Sequence, residues 1–107
     1  MIDKLTTSLK GKNALICGST SGIGKAVSME FAQMGANVTL FSRNEDKLKL
    51  VIKNLDCFDN QNHKYLVGDF NNPDNIQSII KNDISQGNTY HILINNSGGP
   101  KGGLIVE

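Results

Sequence analysis

Residues 13–24, Asn-Ala-Leu-Ile-Cys-Gly-Ser-Thr-Ser-Gly-Ile-Gly, set an apolar run of strand length directly before glycines at 18, 22 and 24. A helical pattern starts at once, with Ile23, Val27, Phe31 and Met34 recurring at helical spacing and expected to face a sheet. Strand, tight glycine turn and helix in direct succession leave few folds open. Glycines let the backbone approach a ligand closely, and a helix opening near Gly22 presents unpaired N–H groups at the positive end of its dipole. Such a turn can hold a diphosphate without a lysine.

The pattern then repeats. Gly35 stops the first helix, Asn37–Phe41 reads as a second strand, and the short strand–helix–strand unit requires a parallel pair with a right-handed crossover. Ser42 and Glu45 have capping-box spacing, with Asn44 as the competing cap, ahead of a stripe of Leu48, Val51, Ile52 and Leu55. A polar loop over 56–62 leads to a strand at Lys64–Val67 and the turn Gly68-Asp69-Phe70. Asn72-Pro73 starts a third helix whose Ile76, Ile79, Ile80 and Ile84 are expected to face the sheet. The run 91–95 reads as a strand covered on both faces and ends at Asn95-Asn96-Ser97-Gly98-Gly99-Pro100. The fold class is therefore α/β, a Rossmann-like doubly wound parallel sheet in βαβαβαβ order, with a ligand crevice at the carboxyl ends of the strands. Leu5 and Leu9 in the lead-in are expected to cover the sheet edge.

Composition narrows the function classes. At 107 residues, 38% hydrophobic and 20% charged, the chain is read as one domain, residues 1–107. A net charge of +1 offers no basic face for nucleic acid, and no stretch approaches a membrane span, so the default location is the cytoplasm. Cys17, in a buried strand, and Cys57, in a loop, lack metal-ligand spacing and are read as unpaired thiols, and His63 and His91 as strand-edge residues. Gly24-Lys25 ends a glycine turn, but Ser19 and Ala26 occupy the glycine and hydroxyl positions that a nucleotide-hydrolase P-loop needs.

Three landmarks in order make the chain resemble the short-chain dehydrogenases/reductases: Gly18-x-x-x-Gly22-x-Gly24, Asp69 after the third strand, and Asn95-Asn96-Ser97-Gly98 after the fourth. Ser97 in place of the family's small Ala, with Gly99-Pro100 following, has the form found in members similar to 3-oxoacyl-carrier-protein reductases. The resemblance implies that Gly18, Ser19, Thr20, Ser21 and Ile23 line the diphosphate and ribose of a nicotinamide dinucleotide, with Gly22 and Gly24 shaping the turn. It also implies an adenine pocket at Asp69 and Phe70, a ribose contact at Asn96 beside Gly98, and a homo-oligomer for a full-length relative. Cys17 stands where the family prefers threonine, and His91 where aspartate is common.

The end of the second strand selects the cofactor. An acid there would bind the ribose hydroxyls of NAD, whereas Ser42 and Arg43 suit a 2′-phosphate, so NADP(H) is expected over NAD(H). The family's catalytic Ser and Tyr-x-x-x-Lys have no counterpart, since Asp69 follows Tyr65 and Ile94 follows Tyr90 at the lysine position. No catalytic residue is assigned. The chain is expected to be the cofactor-binding half of an oxidoreductase acting on a small carbonyl or alcohol, truncated after the fourth strand. The alternative is a non-catalytic dinucleotide-binding module or an inactive gene fragment. Truncation would leave the fourth strand with an open apolar edge, a site for aggregation.

Overall fold

A computed structural model of the chain describes residues 8–18, 22–58, 61–69, 72–95 and 103–106. The elements run β1 (Asn13–Cys17), α1 (Gly22–Gln33), β2 (Asn37–Ser42), α2 (Glu45–Asn54), β3 (Lys64–Val67), α3 (Pro73–Ser85), β4 (Ile92–Asn95) and β5 (Gly103–Val106). They build one sheet in the order β3-β2-β1-β4-β5. The first four strands are parallel, and β5 pairs antiparallel with β4 from Ile92↔Val106 to Asn95↔Gly103. This corrects the expectation of an open edge at β4. The seven residues 96–102 between these strands are too few for a crossover helix, so a returning strand has to run antiparallel.

Alternation along each strand divides the core into two layers. On one face Ile16, Val38 and Leu40 are buried with Ala32, Ala36, Leu48, Val51 and Leu55 from α1, α2 and the residues that follow them. On the other, Leu15, Cys17 and Phe41 meet Leu66, Leu93 and the α3 residues Ile76, Ile79 and Ile80. Helices thus cover both faces.

Local chemistry sets the helix boundaries. Asn44, rather than Ser42, caps α2: its side chain accepts the Lys47 N–H at 3.1 Å. Asn72 does the same for α3, accepting from the Asn75 N–H at 3.1 Å, with Pro73 in the first turn. The end of α1 is a Schellman closure in which Gly35 (φ +96) donates to Ala32 O and Ala36 donates to Phe31 O, both at 3.1 Å. Gln61 Nε2 covers the same end by donating to Ala32 O at 2.9 Å and Ala36 O at 2.7 Å. In the lead-in, Leu9 packs against the α1–α2 layer and donates its N–H to Met34 O at 2.9 Å, whereas Leu5 lies outside the described residues.

Two helix faces differ from expectation. Helix α1 buries Gly24, Ser28 and Ala32, while Val27 and Phe31 are only partly buried and Ile23 is 70% exposed. Small side chains let the helix axis approach the sheet, and that rotates the apolar stripe toward the layer's margin. In α3, Ile84 is 49% exposed because it lies in the last turn, while the isoleucines before it reach the core.

The amino ends of the strands are joined by polar side chains. His91 Nδ1 accepts the Asn13 N–H at 2.9 Å, and His63 Nδ1 accepts the Val38 N–H at 3.1 Å, with its Nε2 2.7 Å from Asp56 O. Both rings finish strand ladders, in keeping with their reading as strand-edge residues. Asp83 of α3 is 5% exposed and accepts from Lys64 Nζ at 2.5 Å, from the Tyr90 hydroxyl and from Asn88 Nδ2 at 3.1 Å. Burial alone would push its carboxyl up, but these donors outweigh burial and hold it below the ordinary value.

At the opposite end, Gly68 follows β3 at a close approach, since a Cβ there would lie 2.6 Å from Phe41 Cζ and 2.7 Å from Ile79 Cδ1. No helix among the described residues is long and apolar enough to cross a membrane.

Replacing Asp83 with Ala takes the carboxylate acceptor from Lys64 and Tyr90, while Asn88 keeps its 3.2 Å bond to the residue-83 carbonyl, and should cost about 2–3 kcal/mol in urea unfolding at pH 7. Because the folded pKa is lowered, the Asp83 contribution is complete above the unfolded value of about 3.9 and is lost as pH falls through the folded one, so variant and parent converge in acid. Gly68→Ala should lower stability by about 1–3 kcal/mol through overpacking against Phe41 and Ile79, read from the same urea curves.

Candidate dinucleotide-binding site

Strand register brings the separate turns to one rim. Cys17 pairs with both Phe41 and Asn95, and Ser42 pairs with Val67, so the carboxyl ends of β1 to β4 are level. Two bonds extend this ladder one residue beyond the strands: Gly18 N–H donates to Phe41 O at 2.9 Å, and Gly68 N–H donates to Ser42 O at 3.0 Å. Neighbouring strands lie about 4.8 Å apart, so Gly18, Ser42 and Gly68 form a continuous rim, with Arg43 and Asp69 one residue further out.

Gly18 (φ +72) and Gly22 (φ +59) hold left-handed backbone on either side of the first turn. Space around a Cβ at Gly22 is open, so conformation rather than crowding calls for glycine there. Gly24 is buried in α1, and Ser28 Oγ donates to Gly24 O at 2.8 Å. Glu45 and Asp46 occupy the first turn of α2, and Asp74 that of α3, but the first turn of α1 has no acid. The positive end of α1 is thus compatible with a ligand's anionic group. Ile23, whose side chain is mostly exposed, belongs to this open end rather than to the core. Ser19, Thr20, Ser21, Phe70, Asn96 and Gly98 lie outside the described residues.

At the end of β2, Ser42 Oγ is 3.4 Å from the Asn44 N–H, and Arg43 is exposed. Ser42, Arg43, Asn44, Glu45, Asp46 and Lys47 line one shallow recess. The only ion pair among the described residues joins Lys64 to Asp83, so neither Glu45 nor Asp46 neutralises Arg43. Glu45 Oε2 instead accepts from the Tyr65 hydroxyl at 2.8 Å.

Asp69 is positioned by its backbone, whose N–H donates to Asn75 Oδ1 at 3.1 Å while its carbonyl accepts from the Asn72 N–H at 3.0 Å. Sequence reasoning missed Asn75 and the steric need for Gly68. The Asn72-x-x-Asn75 spacing was the available signal, since a side chain at the third helical position commonly turns back to a preceding N–H.

Other reactive groups are engaged elsewhere. Cys17 and Cys57 are free thiols, and burial pushes the Cys17 thiol up to about 12, so it is not a thiolate near neutrality. Tyr90 is pushed up by burial and by Asp83, and Tyr65 by its bond to Glu45, which makes neither a proton donor tuned to neutral pH. Among the described residues no group of three or more His, Cys, Asp or Glu could hold a metal ion.

Known proteins share this arrangement. Residues 12–107 match the short chain dehydrogenase family. Glucose 1-dehydrogenase of Gluconobacter oxydans is 33% identical over 88 residues, 82% of this chain and 33% of that protein. Inactive hydroxysteroid dehydrogenase-like protein 1 of Homo sapiens is 36% identical over 88 residues, 82% of this chain and 26% of that protein. The chain thus spans about a quarter to a third of the length of these curated relatives. The crystal structure of L-sorbose reductase from Gluconobacter frateurii, complexed with NADPH and L-sorbose, superposes with a TM-score of 0.74 at 30% identity, over 86% of this chain and 35% of that one. A matched profile over nearly all its residues, on a sheet whose first four strands are parallel and whose first helix opens at Gly22, makes this chain a member of the short-chain dehydrogenase/reductase family.

Proposed function

We propose that this chain is the cofactor-binding half of an NADP(H)-dependent oxidoreductase that moves a hydride between the nicotinamide and a small carbonyl or alcohol. When bound, the dinucleotide supplies the hydride chemistry. Residues 18–24 would receive its diphosphate, Asp69 and Phe70 its adenine, and Asn96 with Gly98 a ribose. Proton transfer is assigned to no residue of this chain.

The observation that carries the NADP(H) preference is Arg43, exposed at the end of β2 and outside any ion pair with Glu45 or Asp46. A guanidinium there can take a 2′-phosphate through paired charge-assisted bonds, and its position lacks the acid that would select NAD. The NADPH bound to the sorbose reductase supports this choice. A second reading, a dinucleotide-binding protein without catalysis, is favoured by the 36% identity to a relative named as inactive. It predicts NADPH binding with no turnover.

NADPH should bind the full-length protein at least about tenfold more tightly than NADH in a fluorescence titration, and Arg43→Ala should abolish that difference by weakening NADPH alone. Equal dissociation constants in the parent protein would remove the preference. Gly22→Val, which forces a β-branched residue to φ +59, should weaken both nucleotides together; unchanged affinities would refute a diphosphate at this turn.

A further inference from the structure

We infer that Tyr65 is a positioning residue for cofactor choice, acting by tethering the Glu45 carboxylate so that it neither pairs with Arg43 nor faces an incoming 2′-phosphate. The inference rests on the assignment of Arg43 to that phosphate and adds a residue from a different strand to the determinant.

Glu45 opens α2 only two residues after Arg43, in the recess that Arg43 and Lys47 share. A glutamate this close to an exposed arginine would be expected to neutralise it and repel a phosphate. The structure gives the carboxylate another partner. Tyr65 lies in β3, in register with Leu40 of β2, and its half-buried ring packs against the α1–α2 layer. Its hydroxyl emerges from that layer to donate to Glu45 Oε2 at 2.8 Å. The ring has two side-chain torsions and is held by packing, so it offers a fixed anchor for a flexible acid. Glu45 stays at the amino end of α2, where a carboxylate complements the helix dipole, while Arg43 keeps its charge for another anion.

The Tyr65 ring needs no contact with the nucleotide in this scheme. Its effect passes through Glu45, so the two side chains should be coupled for NADPH and uncoupled for NADH, which has no 2′-phosphate. Removing the hydroxyl in Tyr65→Phe keeps the packed ring and frees the acid.

Dissociation constants for NADPH and NADH on the full-length protein test this, using Tyr65→Phe, Glu45→Gln and the double variant. Tyr65→Phe should raise the NADPH constant about three- to fivefold with NADH unchanged. Glu45→Gln alone should change the ratio of the two constants by less than about twofold, and in the Tyr65→Phe background it should restore the parental ratio. A parental preference for NADPH that survives Tyr65→Phe unaltered overturns this inference alone. So does a loss shared by both nucleotides that Glu45→Gln does not repair. Equal constants in the parent protein overturn the Arg43 assignment and this inference with it.

Discussion

Parallel pairing of β1 on both sides is the constraint from which the rest of the architecture follows. β2 lies on one flank of β1 and β4 on the other, so the chain must wind outward, return across the sheet and resume on the far side of its first strand. Right-handed crossovers then place α1 and α2 on one face and α3 on the other. The carboxyl ends of β1 and β4 are thus the point where the winding reverses, which is where open α/β sheets bind their ligands. Gly18 stands at that point because it follows β1, and the level strand ends bring Ser42, Arg43 and Asp69 to the same rim.

Charge is distributed to suit this arrangement. With a net charge of +1 the protein has no broad field for steering an anion, so recognition falls to fixed dipoles and single side chains. Carboxylates occupy the first turns of α2 and α3, whereas α1 keeps its amino end clear. The buried ionic group of Asp83 with Lys64, Tyr90 and Asn88 lies at the amino ends of the strands, away from the rim. It fastens α3 to the sheet without competing for a ligand.

Much of this was legible in the sequence because the signals were local. Asn44 and Asn72 mark helix starts through bonds spanning three residues, Gly35 marks a helix end through a positive φ, and the strands are short apolar runs bounded by polar turns. The orientation of α1 was not legible. Counting large apolar side chains selects Ile23, Val27 and Phe31, but the sheet is met by Gly24, Ser28 and Ala32, which hydrophobic periodicity barely registers. Other misses depend on partners distant in sequence, such as Gly68 against Phe41 and Ile79 and Tyr65 on Glu45, whereas His63 and His91 sit at strand edges as read. The strand β5 was missed for a different reason: Gly103–Val106 is too brief for alternation to distinguish it from a loop.

The small-residue face of α1 makes the helix's amino end sensitive to events a full helix length away. Gly24, Ser28 and Ala32 fix how closely the whole rod lies on the sheet, and the backbone amides of its first turn travel with it. An added methyl group at 28 or 32 would act as a wedge, tilting the rod and displacing those amides without touching any ligand. With the proposed diphosphate at that end, residues absent from any contact map of the nucleotide would still tune its affinity.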